Sequence, residues 1–345
     1  MSTTFHALVI GGTRNLGPGL VAALLEAGHR VAVLNRGRTP EAAPLPAGVE
    51  RLRADRADAA QLAAALGRRA FDLVVDTTLY TGPEARTTIA ALDGQVGHYV
   101  VLSTGQVYLV RRGVARPFRE ADYAGPVMPE PPRDGPDHGD WAYGVEKRDA
   151  EDACAEAWAA RRFPYTALRL PMINSELDHY DRLRNYLARL DDGGPILVPD
   201  TPDLPLRHVY GGDVVRAILR VAALGARTHG EAYNVSQDET LGLDAFLAML
   251  GEITGREVVA RRVPRALLEA RGLLPACSPF SGRWMSELDN RRSREELGFA
   301  YTPLREYLAR LVEWQRAHPE RAAAAVPGYA QRPAELALEG HSAGR

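Results

Sequence analysis

Tyr143 and Lys147 stand four residues apart in the run YGVEK, at the start of a helix-forming stretch that extends to about Arg161. On a helix that spacing puts both side chains on one face, one turn apart. A phenol with an unperturbed pKa of about 10 is a poor base at neutral pH, and a neighbouring ammonium favours its ionised form. Thr104 follows an apolar run, Val96 to Ser103, that reads as a strand. Its hydroxyl can donate a hydrogen bond to a substrate oxygen. Together the three form a proton-transfer set for interconverting an alcohol and a ketone, provided that a hydride carrier lies alongside. An isolated Y-x-x-x-K pair is only two amphipathic residues on a helix surface. The reading therefore depends on what positions them.

The positioning elements begin at the other end of the chain. Between Phe5 and Arg38 an apolar stretch, Ala7 to Ile10, stops at Gly11-Gly12; a polar turn follows, then apolar residues at helical spacing from Leu16 to Leu25. Gly28 closes that helix, and a second apolar run, Val31 to Leu34, ends on Asn35-Arg36. Strand, glycine turn, helix and strand in about thirty residues is the βαβ unit that holds a dinucleotide. A pyrophosphate needs bare backbone N–H groups at a helix N-terminus, and a side chain at Gly12 would block its approach. The glycines are Gly11, Gly12 and Gly17, with Arg14 where a central glycine often sits.

Further along, a short strand near Val49 to Arg53 ends at Ala54-Asp55-Arg56, residues 58–67 read as a helix, and Phe71 to Asp76 reads as a buried strand. Pro83 opens another helix, at a position where proline is tolerated. This alternation predicts an α/β fold, a Rossmann-like doubly wound parallel sheet with helices on both faces and a smaller C-terminal α/β substrate-binding region. Such sheets bind ligands beyond the carboxyl ends of their strands, so Gly11, Asn35, Asp55, Asp76 and Ser103 are expected on one rim. The dinucleotide-binding domain is expected over 1–170, with an irregular insertion at about 109–141 that reads as a lid or surface loop. Residues 171–318 would form the substrate-binding region, interleaved with the last sheet elements, and 319–345 a loosely held tail.

A chain of 345 residues with 46% apolar content can fill a real core. Its 42 basic and 44 acidic residues nearly cancel, which argues against a general nucleic-acid surface. The two cysteines, Cys154 and Cys277, have no framework or metal spacing and read as packing residues of a reducing compartment. With no charged-then-apolar leader and no apolar run of about 18 residues, a soluble cytoplasmic protein is expected. Asp134, Asp137, His138 and Asp140 are interleaved with Pro and Gly, which favours a solvated loop over a metal site.

In this order the motifs resemble the extended short-chain dehydrogenase/reductase superfamily, in its NAD-dependent epimerase/dehydratase group. The carriers are GGTRNLG (11–17), the NRGR ending of the second strand, FDLVVDTT (71–78), VVLSTGQVY (100–108), YGVEK (143–147), LRLP (168–171), DNRRSREELGF (289–299) and TPLREYL (302–308). The resemblance covers roughly Leu8 to Trp314. It implies that Gly11, Gly12, Thr13, Arg14, Asn15, Leu16 and Gly17 line the pyrophosphate. Asp55 and Arg56 would flank the adenine, Thr77 and Thr78 the nicotinamide side, and Pro171 the nicotinamide face, with Ser103 a further cofactor contact. Thr104 falls four residues before the Tyr of VY, where such enzymes place a catalytic Ser or Thr. Tyr143 would be the acid/base, and Lys147 would grip the ribose hydroxyls and tune Tyr143.

NAD-binding members usually end the second strand with Asp or Glu, which repels a 2′-phosphate. Here Asn35 stands there, followed by Arg36 and Arg38, with Arg14 in the turn. Guanidiniums converging on one point suit a phosphate, so NADP(H) is expected over NAD(H). Related dehydratases follow the catalytic Thr with Asp-Glu; Gly105 and Gln106 hold those places and cannot shuttle a proton, which disfavours that elimination. Epimerisation or plain carbonyl reduction needs only Tyr143, Thr104 and a cofactor. Arg182, Tyr186, Arg207 and Arg283 are candidate substrate contacts, and His208 reads as a structural or rim residue. The family pattern RDFIHVDD is poorly kept in PLRHVYGGD (205–213), which weighs against an ordinary nucleotide sugar. The expected activity is therefore that of an oxidoreductase or epimerase on a secondary alcohol or ketone of a sugar or nucleotide sugar. The alternatives are an NADPH-dependent reductase of a secondary-metabolite carbonyl, or a non-catalytic nucleotide- or RNA-binding protein on the same fold. A homodimer paired through the Tyr-bearing helix is the expected assembly, if there is one.

Overall fold

The structure, a computed structural model, describes residues 4–38, 40–201, 204–318, 326 and 328–338. The strands are β1 (His6–Ile10), β2 (Arg30–Asn35), β3 (Glu50–Arg53), β4 (Leu73–Asp76), β5 (Tyr99–Thr104) and β6 (Tyr165–Leu170). They continue with β7 (Ile173–Asn174), β8 (Ile196–Pro199), β9 (Val209–Tyr210), β10 (Glu231–Asn234) and β11 (Ala260–Val263). Seven of them form one sheet in the order β10-β6-β5-β4-β1-β2-β3, with every neighbouring pair parallel. The doubly wound sheet expected from the alternation is present.

The helices are α1 (Gly17–Glu26), α2 (Ala59–Leu66), α3 (Gly82–Leu92), α4 (Gln106–Leu109), α5 (His138–Arg161), α6 (Arg182–Asp191), α7 (Gly211–Leu224), α8 (Leu243–Thr254), α9 (Arg265–Ala270) and α10 (Leu304–Ala317). Successive side chains of a strand point to opposite faces, and β1 shows the consequence. Ala7 and Val9 pack with Leu20 and Leu24 of α1 and Ile218 of α7, whereas Leu8 and Ile10 pack with Leu62 of α2, Ile89 of α3 and Cys154 of α5. A strand covered on both faces must be apolar throughout, which is why Ala7 to Ile10 is an unbroken run. A separate core, including Leu183, Tyr186, Phe246, Phe280 and Tyr307, unites α6, α8 and α10.

Three boundaries differ from expectation. Phe71 and Val96 stand outside their strands and meet in an isolated bridge, so β4 begins at Leu73 and β5 at Tyr99. The insertion is packed rather than lid-like: Phe118 bridges Leu288 and is buried with Val107 and Tyr108, and Glu120 accepts the Asn234 backbone N–H at 2.8 Å. Helix α5 starts at His138, inside that insertion, and carries Tyr143 in its second turn. The expected loose tail is also corrected where it is described. A short helix, Arg332–Ala337, docks beside α6, and Glu335 is fully buried against Arg189. Among the described residues no helix is long and apolar enough to cross a membrane.

Candidate active site

A cleft of about 490 Å³ opens at the carboxyl ends of β1, β2, β4 and β5. Its floor is the glycine turn. Gly11 has φ +96°, and a Cβ there would lie 2.2 Å from Thr77 Oγ1. At Gly17 the backbone is ordinary, but a Cβ would stand 2.5 Å from the carbonyl carbon of Gly12, so only glycine lets α1 approach the turn. Asn15 holds a left-handed backbone (φ 52°) and accepts a hydrogen bond from Ser175. Thr77 secures the far wall, donating to the Ile10 carbonyl at 3.0 Å.

Gly11, Gly12, Thr13, Arg14, Asn15, Leu16, Asn35, Arg36, Arg38, Asp55, Arg56, Thr77, Thr78, Ser103, Thr104, Tyr143, Lys147 and Pro171 all line this one cleft; Gly17 packs behind it. Arg36 and Arg38 are 57% and 71% exposed and stand 4.0 and 3.6 Å from Asp55. Arg14 is exposed at the same rim. Asn35 accepts the Gly37 N–H at 2.9 Å. Arg56, expected beside the adenine, lines the cleft, with its side chain drawn inward by an ion pair. Its guanidinium turns inward, forks onto buried Asp76 at 2.9 and 2.8 Å and donates to Thr78 at 3.1 Å, leaving it as a wall of the cleft.

The chemistry-bearing groups meet at the end of β5. The Thr104 hydroxyl beside Tyr143 favours the phenolate, but desolvation of the ring outweighs this and pushes the phenol pKa up to about 12. Lys147 is buried and donates from Nζ to the carbonyls of Leu79 and Leu102, each at 2.6 Å; burial lowers it to about 8. In place of the expected lowering by this ammonium, the phenol pKa is raised, chiefly by desolvation. Below them, Ser103 bonds to Glu151, which is forked by Arg169 at 2.7 and 3.0 Å, giving the site a rigid, charge-paired base.

Sequence reasoning missed three aromatic rings of the cleft: Tyr80, His179 and Tyr180. Tyr80 and Tyr180 are 47% and 59% exposed, unusual for rings of that size, and the Tyr80 ring lies 6.4 Å from that of Tyr143. Glu84, which also lines the cleft, accepts the Tyr80 N–H at 2.9 Å and thereby orients it. The readable signal was Tyr80-Thr81-x-x-Glu84, a helix-capping pattern directly after the Thr77-Thr78 corner.

None of the four candidate substrate contacts lines the cleft. Tyr186 is fully buried, its hydroxyl accepting from the Phe280 N–H at 3.1 Å, and is a core residue. Arg207 donates to the Gln237 carbonyl at 3.0 Å and to Asn290 at 3.2 Å. Arg283 pairs with Glu269 at 2.8 Å beside a second cavity of about 350 Å³. Arg182 lies over the Tyr180 ring at 4.7 Å and 3.5 Å from Asp178. His208 is buried against Asn174 at 3.1 Å, and burial lowers it to about 3, as suits a neutral structural imidazole.

A doubly wound sheet with a glycine turn at its switch point, and Thr, Tyr and Lys gathered beside it, defines the Rossmann class of nucleotide-cofactor proteins. The family model described as "NAD dependent epimerase/dehydratase family" matches residues 7–236, and the chain belongs to that family. A 2′-dehydrokanamycin reductase from Streptomyces kanamyceticus is 32% identical over 156 residues, covering 45% of this chain and 39% of that protein. The "chloroplast stem-loop binding protein of 41 kDa b" of Arabidopsis thaliana is 24% identical over 250 residues, 69% of this chain and 60% of that one. The chain thus spans about half the length of these curated relatives. In fold it is similar to an epimerase from Methanothermobacter thermautotrophicus (TM-score 0.72, 16% identity, 93% of this chain and 95% of that one). It is also similar to the dTDP-glucose 4,6-dehydratase DesIV from Streptomyces venezuelae, solved with NAD and TYD bound (TM-score 0.70, 19% identity, 90% and 97%). A UDP-glucose 4-epimerase from Thermotoga maritima, solved with UDP-glucose, is a third neighbour (TM-score 0.71, 19% identity, 90% and 99%).

Proposed function

We propose that the protein is an NADP(H)-dependent reductase of a ketone on a sugar or sugar-like metabolite. The observation that carries this is the gathering of Thr104, Tyr143 and Lys147 on the cleft that the glycine turn floors. A phenol placed there is protonated at neutral pH and can donate to a carbonyl oxygen, which is what reduction requires. The nicotinamide, when bound, supplies the hydride that the carbonyl carbon gains. Gly11, Gly12, Asn15 and Gly17 would hold its pyrophosphate, since the turn is too close-packed for side chains at the glycines. Arg14, Arg36 and Arg38 would take a 2′-phosphate, being cationic and solvent-facing at the end of β2, where no carboxylate ends the strand.

In this scheme Thr104 and Tyr143 both bind the substrate carbonyl oxygen, and the Tyr143 hydroxyl proton passes to it as the alkoxide forms. Tyr143 then regains a proton from solvent. Lys147 bridges the Leu79 and Leu102 carbonyls, keeps positive charge near the transient phenolate and would reach the ribose hydroxyls. Tyr80 and Tyr180 cover the opening and exclude water. The reductase similarity supports the same direction. The test is turnover of NADPH against a panel of keto-sugars. Tyr143→Phe is expected to lower kcat by about 10²–10⁴ with NADPH affinity retained. Unchanged kcat would overturn the reading. A second reading, RNA binding without catalysis, draws only on the chloroplast relative's name. Retarded migration of a stem-loop RNA at physiological salt, with no NADPH turnover, would favour it.

A further inference from the structure

Exposed aromatic rings are few in this protein and are not scattered. Among the described residues three large apolar side chains stand exposed, Tyr80, Tyr180 and Val259, and the two tyrosines both line the cleft that holds Tyr143. A ring left in water forfeits the stabilisation that burial would bring, so two in one cleft need a reason. Their hydroxyls are idle as well. Elsewhere tyrosine hydroxyls are engaged with the protein: Tyr99 donates to Asp76 at 2.8 Å, Tyr108 to Asn234 at 2.7 Å and Tyr233 to Glu296 at 3.0 Å. Neither the Tyr80 nor the Tyr180 hydroxyl has a hydrogen-bond partner among the described residues.

Both rings are nevertheless held in place. Lys147 Nζ binds the Leu79 carbonyl at 2.6 Å, and Glu84 Oε2 accepts the Tyr80 and Thr81 N–H groups at 2.9 and 3.2 Å. The backbone is thus pinned on either side of the Tyr80 ring. Among the described residues that ring has only distant neighbours, Tyr143 at 6.4 Å and Lys147 Nζ at 5.7 Å, which leaves a face open to the cleft. Tyr180 is braced differently. Asp178 Oδ1 accepts its N–H at 3.2 Å, and the His179 ring and Arg182 guanidinium pack on its ring at 4.0 and 4.7 Å. With the ring so occupied, the hydroxyl is the part it offers. The two tyrosines make no ring contact with each other among the described residues. Both disfavour ionisation of Tyr143, as phenols that share one space would.

Resting on the reading of this cleft as a carbonyl-reducing site, we propose that Tyr80 and Tyr180 set its specificity. The substrate carbonyl belongs to a six-membered polyhydroxylated ring, one face of which lies on Tyr80 while a ring hydroxyl bonds to Tyr180. Such a ring carries its hydroxyls at the rim and C–H groups on its faces, and the electron-rich face of a tyrosine attracts the positive end of C–H bonds. An open-chain ketone of similar composition has no rigid face to offer and loses rotamer freedom on ordering. A shield against water explains the exposed rings only in part, because it needs no pinned backbone and no unpartnered hydroxyl. A shield would also affect all ketones alike, whereas a platform discriminates between them.

The experiment uses the full chain saturated with NADPH, whose binding is measured first, and compares kcat/KM for scyllo-inosose, cyclohexanone and erythrulose. These are a polyhydroxylated ring ketone, a bare ring ketone and an open-chain hydroxyketone. Scyllo-inosose is expected to lead both of the others by about tenfold or more. Tyr80→Ala should narrow its lead over erythrulose by about 3–10-fold, mainly through KM, and Tyr80→Phe should restore most of that lead. Tyr180→Phe should narrow its lead over cyclohexanone by about 3–10-fold, as for one lost hydrogen bond. Val259→Ala, exposed away from the cleft, should change neither ratio. Equal NADPH affinity across the variants reports an intact fold. Erythrulose reduced as well as scyllo-inosose, equal losses for all three ketones in the tyrosine variants, or ratios indifferent to Tyr80→Ala and Tyr180→Phe would each overturn the proposal. Failure to bind NADPH, or to reduce any of the three ketones, would instead overturn the proposed function.

Discussion

Burial governs protonation at the residues proposed to do the chemistry, and Lys147 makes this measurable. Its pKa falls from 10.5 to about 8 because the ammonium is desolvated. Loss of that proton removes the positive charge that stabilises the Tyr143 phenolate, so kcat/KM for reduction should be level up to about pH 8 and fall above it. The stability effect has the opposite sign. Between about pH 8 and 10.5 the unfolded chain binds more protons at this lysine, so its contribution to stability rises with pH through that window. Activity should therefore decline where this group does not weaken the fold, and thermal unfolding measured alongside the rate separates the two. Lys147→Arg, whose guanidinium stays charged, should lose the alkaline decline even if slower overall. At the cofactor end, Arg36→Ala should weaken NADPH by about tenfold or more and leave NADH unchanged, since only one of the two carries the 2′-phosphate. An unaltered NADPH/NADH ratio would sink the NADP(H) assignment.

At the scale of elements, the approach of α1 to the glycine turn decides whether the cofactor site exists. Two glycines of the same helix make a controlled pair. A Cβ at Gly17 would press 2.5 Å from Gly12, whereas one at Gly19 meets nothing within 4 Å. Gly17→Ala should lose about 1–3 kcal/mol to overpacking and most NADPH affinity, because the turn must open. Gly19→Ala should leave binding intact and gain up to about 1 kcal/mol in helix propensity, visible as a higher Tm. The sheet was legible because each buried strand must be apolar on both faces and must stop where the rim begins; Ala7 to Ile10 and Val31 to Leu34 say this without help. That the residues expected to hold a cofactor and to do chemistry share one cleft was legible for the same reason, since the rim is a local consequence of strand ends. What escaped was non-local. Arg207 is taken by Asn290 across 83 residues, and Tyr186 by Phe280 across 94, pairings with no periodic signature. Tyr80 and Tyr180 also come together only through the fold.

Across the whole molecule, the described part of the C-terminal segment reaches back to α6, the helix that follows His179 and Tyr180 in the chain. Arg189 of α6 and Glu335 are both fully buried, 146 residues apart in sequence, with Nε donating to Oε2 at 2.9 Å. Arg332 adds a fork onto Asp192, at 2.7 and 2.8 Å, one residue beyond the end of α6. A buried pair of this kind contributes little net stability compared with an apolar pair, yet removing one partner strands a charge at about 3–5 kcal/mol. Glu335→Ala should therefore lower Tm by about 6 °C or more. The double variant Arg189→Met, Glu335→Leu should recover much of that loss, because neither charge then remains. Position along the chain gives the functional consequence. Helix α6 begins at Arg182, immediately after the segment that puts His179 and Tyr180 on the cleft, and Arg182 lies over the Tyr180 ring. Loosening α6 should disturb that aromatic lip before it reaches Tyr143, which stands on α5. In Glu335→Ala, measured below its Tm, substrate KM should thus rise several-fold while kcat and NADPH affinity stay near those of the parent. A fall in kcat at unchanged KM would show that the C-terminal helix supports the reacting groups themselves rather than the lip.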